Sequence, residues 1–151
     1  MPREGLGMIT EGTYEFTAPR EKLWEFITNP TTMGRCLPDL KSLDVGNENK
    51  FTAIIRVGVG PIRADFKFRI EIVDKQPISH VRLKAVGSGS GGSINLETAI
   101  ELREIPGGSA ISYKSDVKVG GMMAGLGQRM MKDTADKTVA GVFECVKTQL
   151  G

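Results

Sequence analysis

The sequence predicts an α+β fold: a curved antiparallel sheet of about seven strands, two short helices near the N-terminus, and one long C-terminal helix over an apolar cavity. Three observations carry this reading. From Lys41 to Val119 the chain alternates apolar and polar residues in successive runs separated by Gly, Pro and Asn turns, the period-2 pattern of half-buried strands. No helical pattern interrupts those runs, so neighbours pair antiparallel through short connections. Gly120 to Leu150 contains no proline and places apolar residues three and four apart, which predicts one long helix.

Met8–Thr17 opens the chain as a strand, with Gly12, Tyr14 and Phe16 alternating against Thr13, Glu15 and Thr17. Pro19 then starts REKLWEFI, where Leu23, Trp24 and Ile27 share one side of a short helix. Asn29-Pro30 stops it, Thr31–Arg35 allows a further turn, and Cys36–Leu40 is an irregular link. Ser42–Val45 is a short strand turned by Gly46–Asn49. In the strands that follow, Phe51, Ala53, Ile55, Val57 and Val59 share a face, as do Ile62, Ala64, Phe66, Phe68, Ile70 and Ile72. Val81, Leu83 and Ala85 continue it, followed by Ile94, Leu96, Thr98, Ile100 and Leu102, and then Ile111, Tyr113, Val117 and Val119. A sheet with one apolar face has to cover it, and the C-terminal helix is the only element long enough.

Within that helix the bulky apolar residues Met131, Ala135, Val139, Val142, Val146 and Leu150 fall on one side. Ala124 and Gly127 continue the same side with small groups, so the first half of the helix is expected to stand over a gap. Met122, Met123, Leu126 and Met130 fall opposite, as an exposed stripe for partner or membrane docking. In the alternative, the neighbouring glycines reset the helical phase, and these residues are core or touch the Gly87–Gly92 hairpin. The expected cavity lining is Leu37, Val57, Phe66, Phe68, Leu83, Leu96, Ile100, Tyr113, Ala124, Gly127 and Met131.

With 151 residues the chain is expected to be a single domain, 1–151. Its 20 Lys and Arg against 18 Asp and Glu give a net charge of +2, no nucleic-acid signature. The N-terminus lacks the apolar core of a signal peptide, and no window reaches the length of a membrane span. Cys36 and Cys145 form no CxxC pair; they are expected as free thiols in a reducing cytoplasm, Cys36 as a buried structural thiol. Gly87–Gly92 resembles a phosphate loop only in composition. A strand follows it and no lysine does, so it reads as a flexible hairpin tip at the cavity rim. Asp65, Glu71, Glu97, Glu101, Asp116 and the single histidine, His80, all alternate to the outer face. Tyr14 and Tyr113 are the plausible inward hydroxyls. Neither a catalytic constellation nor a metal site with suitable spacing is present. Such an interior suits holding an apolar molecule.

Tyr14-Glu15-Phe16, Ala18-Pro19-Arg20, Trp24, Cys36-Leu37-Pro38 and Val57–Ile62 with Phe66-Lys67, together with the 87–92 glycines and the Gly120–Gly127 stretch, resemble the carbon monoxide dehydrogenase G-subunit family. That family lies within the START-like, polyketide-cyclase superfamily of helix-grip folds. The resemblance implies a non-enzymatic accessory protein that binds a hydrophobic ligand, a quinone or lipid, with no resident cofactor. It would serve a molybdenum hydroxylase of the carbon monoxide dehydrogenase type, in membrane recruitment or electron delivery to quinone. Its implied location is cytoplasmic, with transient contact at the inner membrane face. Two alternatives stay open: a small cyclase or dehydratase of the same fold, and a docking or assembly module without ligand. Asp39 stands where the family usually has glycine after Cys-x-Pro. The tail that longer members use at the membrane has no counterpart before Gly151.

Overall fold

The computed structural model describes residues 5–150. Residues 1–4 and Gly151, on which the readings about a leader and a tail partly rest, lie outside that range. Seven strands, β1 (Leu6–Phe16), β2 (Leu40–Asn47), β3 (Lys50–Val59), β4 (Ile62–Gln76), β5 (His80–Gly89), β6 (Gly92–Ile105) and β7 (Gly108–Gly120), form one antiparallel sheet. Their spatial order is β1-β7-β6-β5-β4-β3-β2. From β2 to β7 the chain is a meander of short turns, as the uninterrupted alternation requires. The helices α1 (Arg20–Ile27) and α2 (Pro30–Gly34) carry the chain from one sheet edge to the other. Pro30 sits in the first turn of α2, and the Asn29 side chain caps it by accepting from the Thr31 N–H at 2.8 Å.

The expected inner face is the observed one. Phe66 and Phe68 are buried, and Phe66 lies opposite Ile55 across β3. Arg56–Asp65, Lys50–Glu71 and Lys84–Glu97 line the outer face as exposed ion pairs at 3.3–3.8 Å, each worth at most about 1 kcal/mol. Inside, the buried side chains fall into two clusters. One, around Phe51, Phe66, Phe68, Val119 and Met131, lies under the start of the C-terminal helix. The other, around Leu23, Ile111, Phe143 and Val146, lies under its end. Phe143 is central to the second cluster, its ring centroid 4.5 Å from Tyr14 and 5.8 Å from Tyr113.

Three expectations need correction. The C-terminal stretch is two pieces: a 3-10 helix over Gly121–Leu126, then α3 (Gln128–Leu150). Gly121 and Gly127 take left-handed φ values of 76° and 91°, so the chain turns between the pieces instead of keeping one helical phase. Met123 is thereby carried inward to complete burial, and its N–H donates to the Gly91 carbonyl at 3.0 Å. Leu126 packs against the same cluster. Met122 at 69% and Met130 at 40% stay exposed, so the stripe of four is two exposed methionines and two inward residues.

The glycine stretch is also more structured than a flexible tip. Gly87 and Gly89 lie within β5, where the rings of Phe68 and Phe66 cover them so closely that a side chain at either would collide. Only Ser90-Gly91 forms the turn. Finally, Cys36 and Cys145 are not free thiols but a disulfide, with Cα atoms 5.5 Å apart. Their separation of 109 residues hides the pairing in sequence. It arises because the link after α2 passes the last turns of α3, and it joins the two.

Candidate ligand-binding trough

The half-burial of Ile70, Leu83 and Leu96 locates the site. These are inward-facing residues of β4, β5 and β6, the middle of the sheet, where a tightly fitting helix would seal them. They keep accessible surface, and α3 comes closer to the backbone at β1 and β3 than to the strands between. An apolar floor therefore runs beneath the helix, between the two buried clusters. Small side chains contribute. Ala135 and Val139, both half-buried, are what α3 presents toward the sheet between Met131 and Phe143.

On the open side a groove of about 510 Å³ separates α3 from β3 and its turn, bordered by Pro38, Val57, Gly60, Met130 and Gly141 and rimmed by the charged Asp39, Arg56, Asp133 and Lys137. That volume lies within the roughly 300–1,000 Å³ common for small-molecule sites. The thioether of Met130 rests on Gly60 at the tip of the β3–β4 turn. A second concavity of about 490 Å³ lies on the outer face among Asp44, Lys50, Arg69, Glu71 and Lys84. Its lining mixes these charges with Phe51, Ile70 and Val86.

The expected lining residues divide by position. Phe66, Phe68 and Met131 are buried in the first cluster, and Ile100 and Tyr113 in the second. Leu37, Val57, Leu83, Leu96 and Ala124 are half-buried. Leu37, Val57, Leu96 and Ala124 pack on the cluster under the start of α3, and Leu83 packs on the other. Gly127 does not line the trough. It is the break between the two helical pieces, and a Cβ there would meet open space. Its expected role came from extending the phase of α3 through a residue that does not belong to it.

Register exposes a feature absent from the expected list. Thr10 on β1, Ser115 on β7 and Thr98 on β6 are direct cross-strand neighbours on the inner face. Thr10 is 1% and Ser115 6% exposed, and the Thr98 and Ser115 hydroxyls are hydrogen-bonded at 2.8 Å. Thr10 bonds the Tyr113 phenol. Burial, with the nearby Tyr14, pushes the Tyr113 pKa up against the opposing pull of Thr10, so the phenol is neutral at physiological pH. Tyr113 lies across Gly12, whose missing side chain makes room for its ring. The signal was present in the alternation: Thr10 and Ser115 occupy the same parity as Tyr14 and Tyr113.

Among the described residues no group of three His, Cys, Asp or Glu side chains could hold a metal ion, and no helix is long and apolar enough to cross a membrane. Similar solved structures include a conserved protein from Geobacillus kaustophilus, with 26% identity over 94% of each chain and a TM-score of 0.87. A START superfamily protein from Mycobacterium smegmatis is 12% identical, covering 94% of this chain and 96% of its own, with a TM-score of 0.73. The Zhui aromatase/cyclase from Streptomyces is 9% identical, covering 95% and 93%, with a TM-score of 0.67. The last two likenesses establish the START-like fold and nothing about chemistry. No curated protein matches the chain. The family model for the G subunit of carbon monoxide dehydrogenase (CoxG) matches residues 12–151. That family is of an accessory rather than a catalytic component, and with the fold it suggests association with carbon monoxide dehydrogenase and a role in binding a hydrophobic ligand. Its match spans nearly the whole sequence, and the chain belongs to the carbon monoxide dehydrogenase G-subunit (CoxG) family.

Proposed function

We propose that the protein is a non-enzymatic carrier of a quinone or similar lipid, serving a molybdenum hydroxylase of the carbon monoxide dehydrogenase type. The observation that carries the reading is the accessible apolar floor in the middle of the sheet, Ile70, Leu83 and Leu96, beneath a helix that stands off it. Each such side chain sealed by a ligand would contribute roughly 1.5–3 kcal/mol on full burial, less for half-buried ones. Micromolar uptake corresponds to about 8 kcal/mol, so it requires further lining side chains to be sealed along with these three. Around Ile70, Leu83 and Leu96 the inner face carries no carboxylate, imidazole or amine to serve as acid or base, Glu104 and Lys75 sharing the face only at the far ends of β6 and β4, which favours carriage over a cyclase reaction. Met130, exposed at the groove, and the exposed Met122 are the surface proposed for docking on the partner enzyme or at the inner membrane face.

Native mass spectrometry of the protein as isolated, with fluorescence titration by menaquinone-4, tests the reading. Uptake of one quinone per chain, weakened at least tenfold by Leu96→Trp in the trough floor, is the expected result. A well-folded protein that carries no lipid and takes up no quinone would leave a docking module as the better account.

A further inference from the structure

Hydroxyl groups inside an apolar chamber are costly unless they find partners, at about 1–3 kcal/mol for each one left unsatisfied. The inner face nevertheless places Thr10, Ser115 and Thr98 side by side across three strands. Thr98 is only half-buried, lies opposite the half-buried Leu83 on β5, and is two residues from Leu96 on β6. It thus borders the accessible floor. The hydroxyl bond between Thr98 and Ser115 at 2.8 Å uses one of their two hydrogens, and the other is left for an acceptor outside the pair.

We propose that the Thr98–Ser115 hydroxyl pair, backed by Thr10, is the polar end of the trough and recognises a carbonyl or hydroxyl oxygen on an otherwise apolar, uncharged ligand. No Asp, Glu, His, Lys or Arg neighbours this row on the inner face, Glu104 and Lys75 lying at the far ends of β6 and β4, so a carboxylate or phosphate head is excluded: a buried charge without a counter-ion is far more expensive than a buried hydroxyl. The Tyr113 phenol, held protonated, adds no charge. A quinone carbonyl meets the requirement; so does a fatty alcohol or a neutral glyceride, whereas a free fatty acid does not. This assignment rests on the carrier reading.

The test compares menaquinone-4 with squalene, a hydrocarbon of similar bulk and no oxygen, on wild-type protein and on Thr98→Val with Ser115→Ala. The double variant should bind menaquinone-4 about fivefold more weakly and squalene unchanged, while Thr98→Ser retains wild-type affinity for both. If the double variant is poorly folded, the near-isosteric Thr98→Val alone replaces it. Unchanged menaquinone-4 affinity alongside normal squalene binding overturns the hydroxyl assignment and leaves the carrier reading standing. Equal weakening of both ligands also overturns it, since the row then shapes the trough without reading a head group. If wild-type protein binds neither ligand, the carrier reading fails and the assignment falls with it.

Discussion

Ile78 has a φ of 89° in the turn between β4 and β5. The Ser79 N–H donates to the Gln76 carbonyl at 2.9 Å across Pro77 and Ile78, so Ile78 holds the turn position where a positive φ is required and glycine is preferred. A β-branched residue is strained there. Ile78→Gly should raise unfolding stability by about 1 kcal/mol in a denaturant titration, despite the added flexibility of the unfolded chain. Asp39 takes a milder left-handed φ of 54°, and its carbonyl accepts from the Arg56 N–H at 3.1 Å where β2 joins β3. Glycine would adopt that conformation freely, and Asp tolerates it better than most residues. Tyr113 supplies a pH dependence. Its folded pKa lies above the ordinary 10.0, so the unfolded chain gives up the phenolic proton first. Stability should therefore be flat up to about pH 10 and fall above it, and Tyr113→Phe should remove that part of the alkaline loss.

Between Gly120 and Gln128 two glycines with left-handed φ replace what period alone reads as the first turns of a helix. Neighbouring methionines therefore have opposite fates. Met123→Glu buries a charge and should abolish cooperative thermal unfolding, whereas Met122→Glu, at an exposed site, should shift stability by no more than about 0.5 kcal/mol. Period still placed Met131, Ala135, Val139 and Val146 correctly, because that stretch has only one glycine, Gly141, and it stays within the helix. The strands were legible for a similar reason. Their two-residue period survives until a bulge interrupts it, as after Ile72, where Val73 turns to solvent. Composition misled at Gly87–Gly92. Glycines that look like looseness are there because Phe66 and Phe68 lie flat on them, and Gly87→Val should cost about 2 kcal/mol or more by forcing the Phe68 ring aside.

Across the whole molecule, contacts far apart in sequence were the ones that local pattern could not foresee. The hydroxyl row needs the register of three strands, and the Cys36–Cys145 bond needs the path of α2 relative to α3. That bond closes a loop of 109 residues and should contribute on the order of 2–5 kcal/mol; Cys145→Ser, or reductant on the wild type, should lower the denaturation midpoint accordingly. Alkylation of the unreduced, unfolded protein should find no free thiol. With this bond near one end, and the Gln128 amide on the Gly7 carbonyl at 3.1 Å at the other, α3 is a bar clamped at both ends. A bar held so cannot swing up as a lid. On the carrier reading, a ligand would enter sideways, past Met130 and the β3–β4 turn, at a pace set by side-chain rotation rather than by unfolding of the helix.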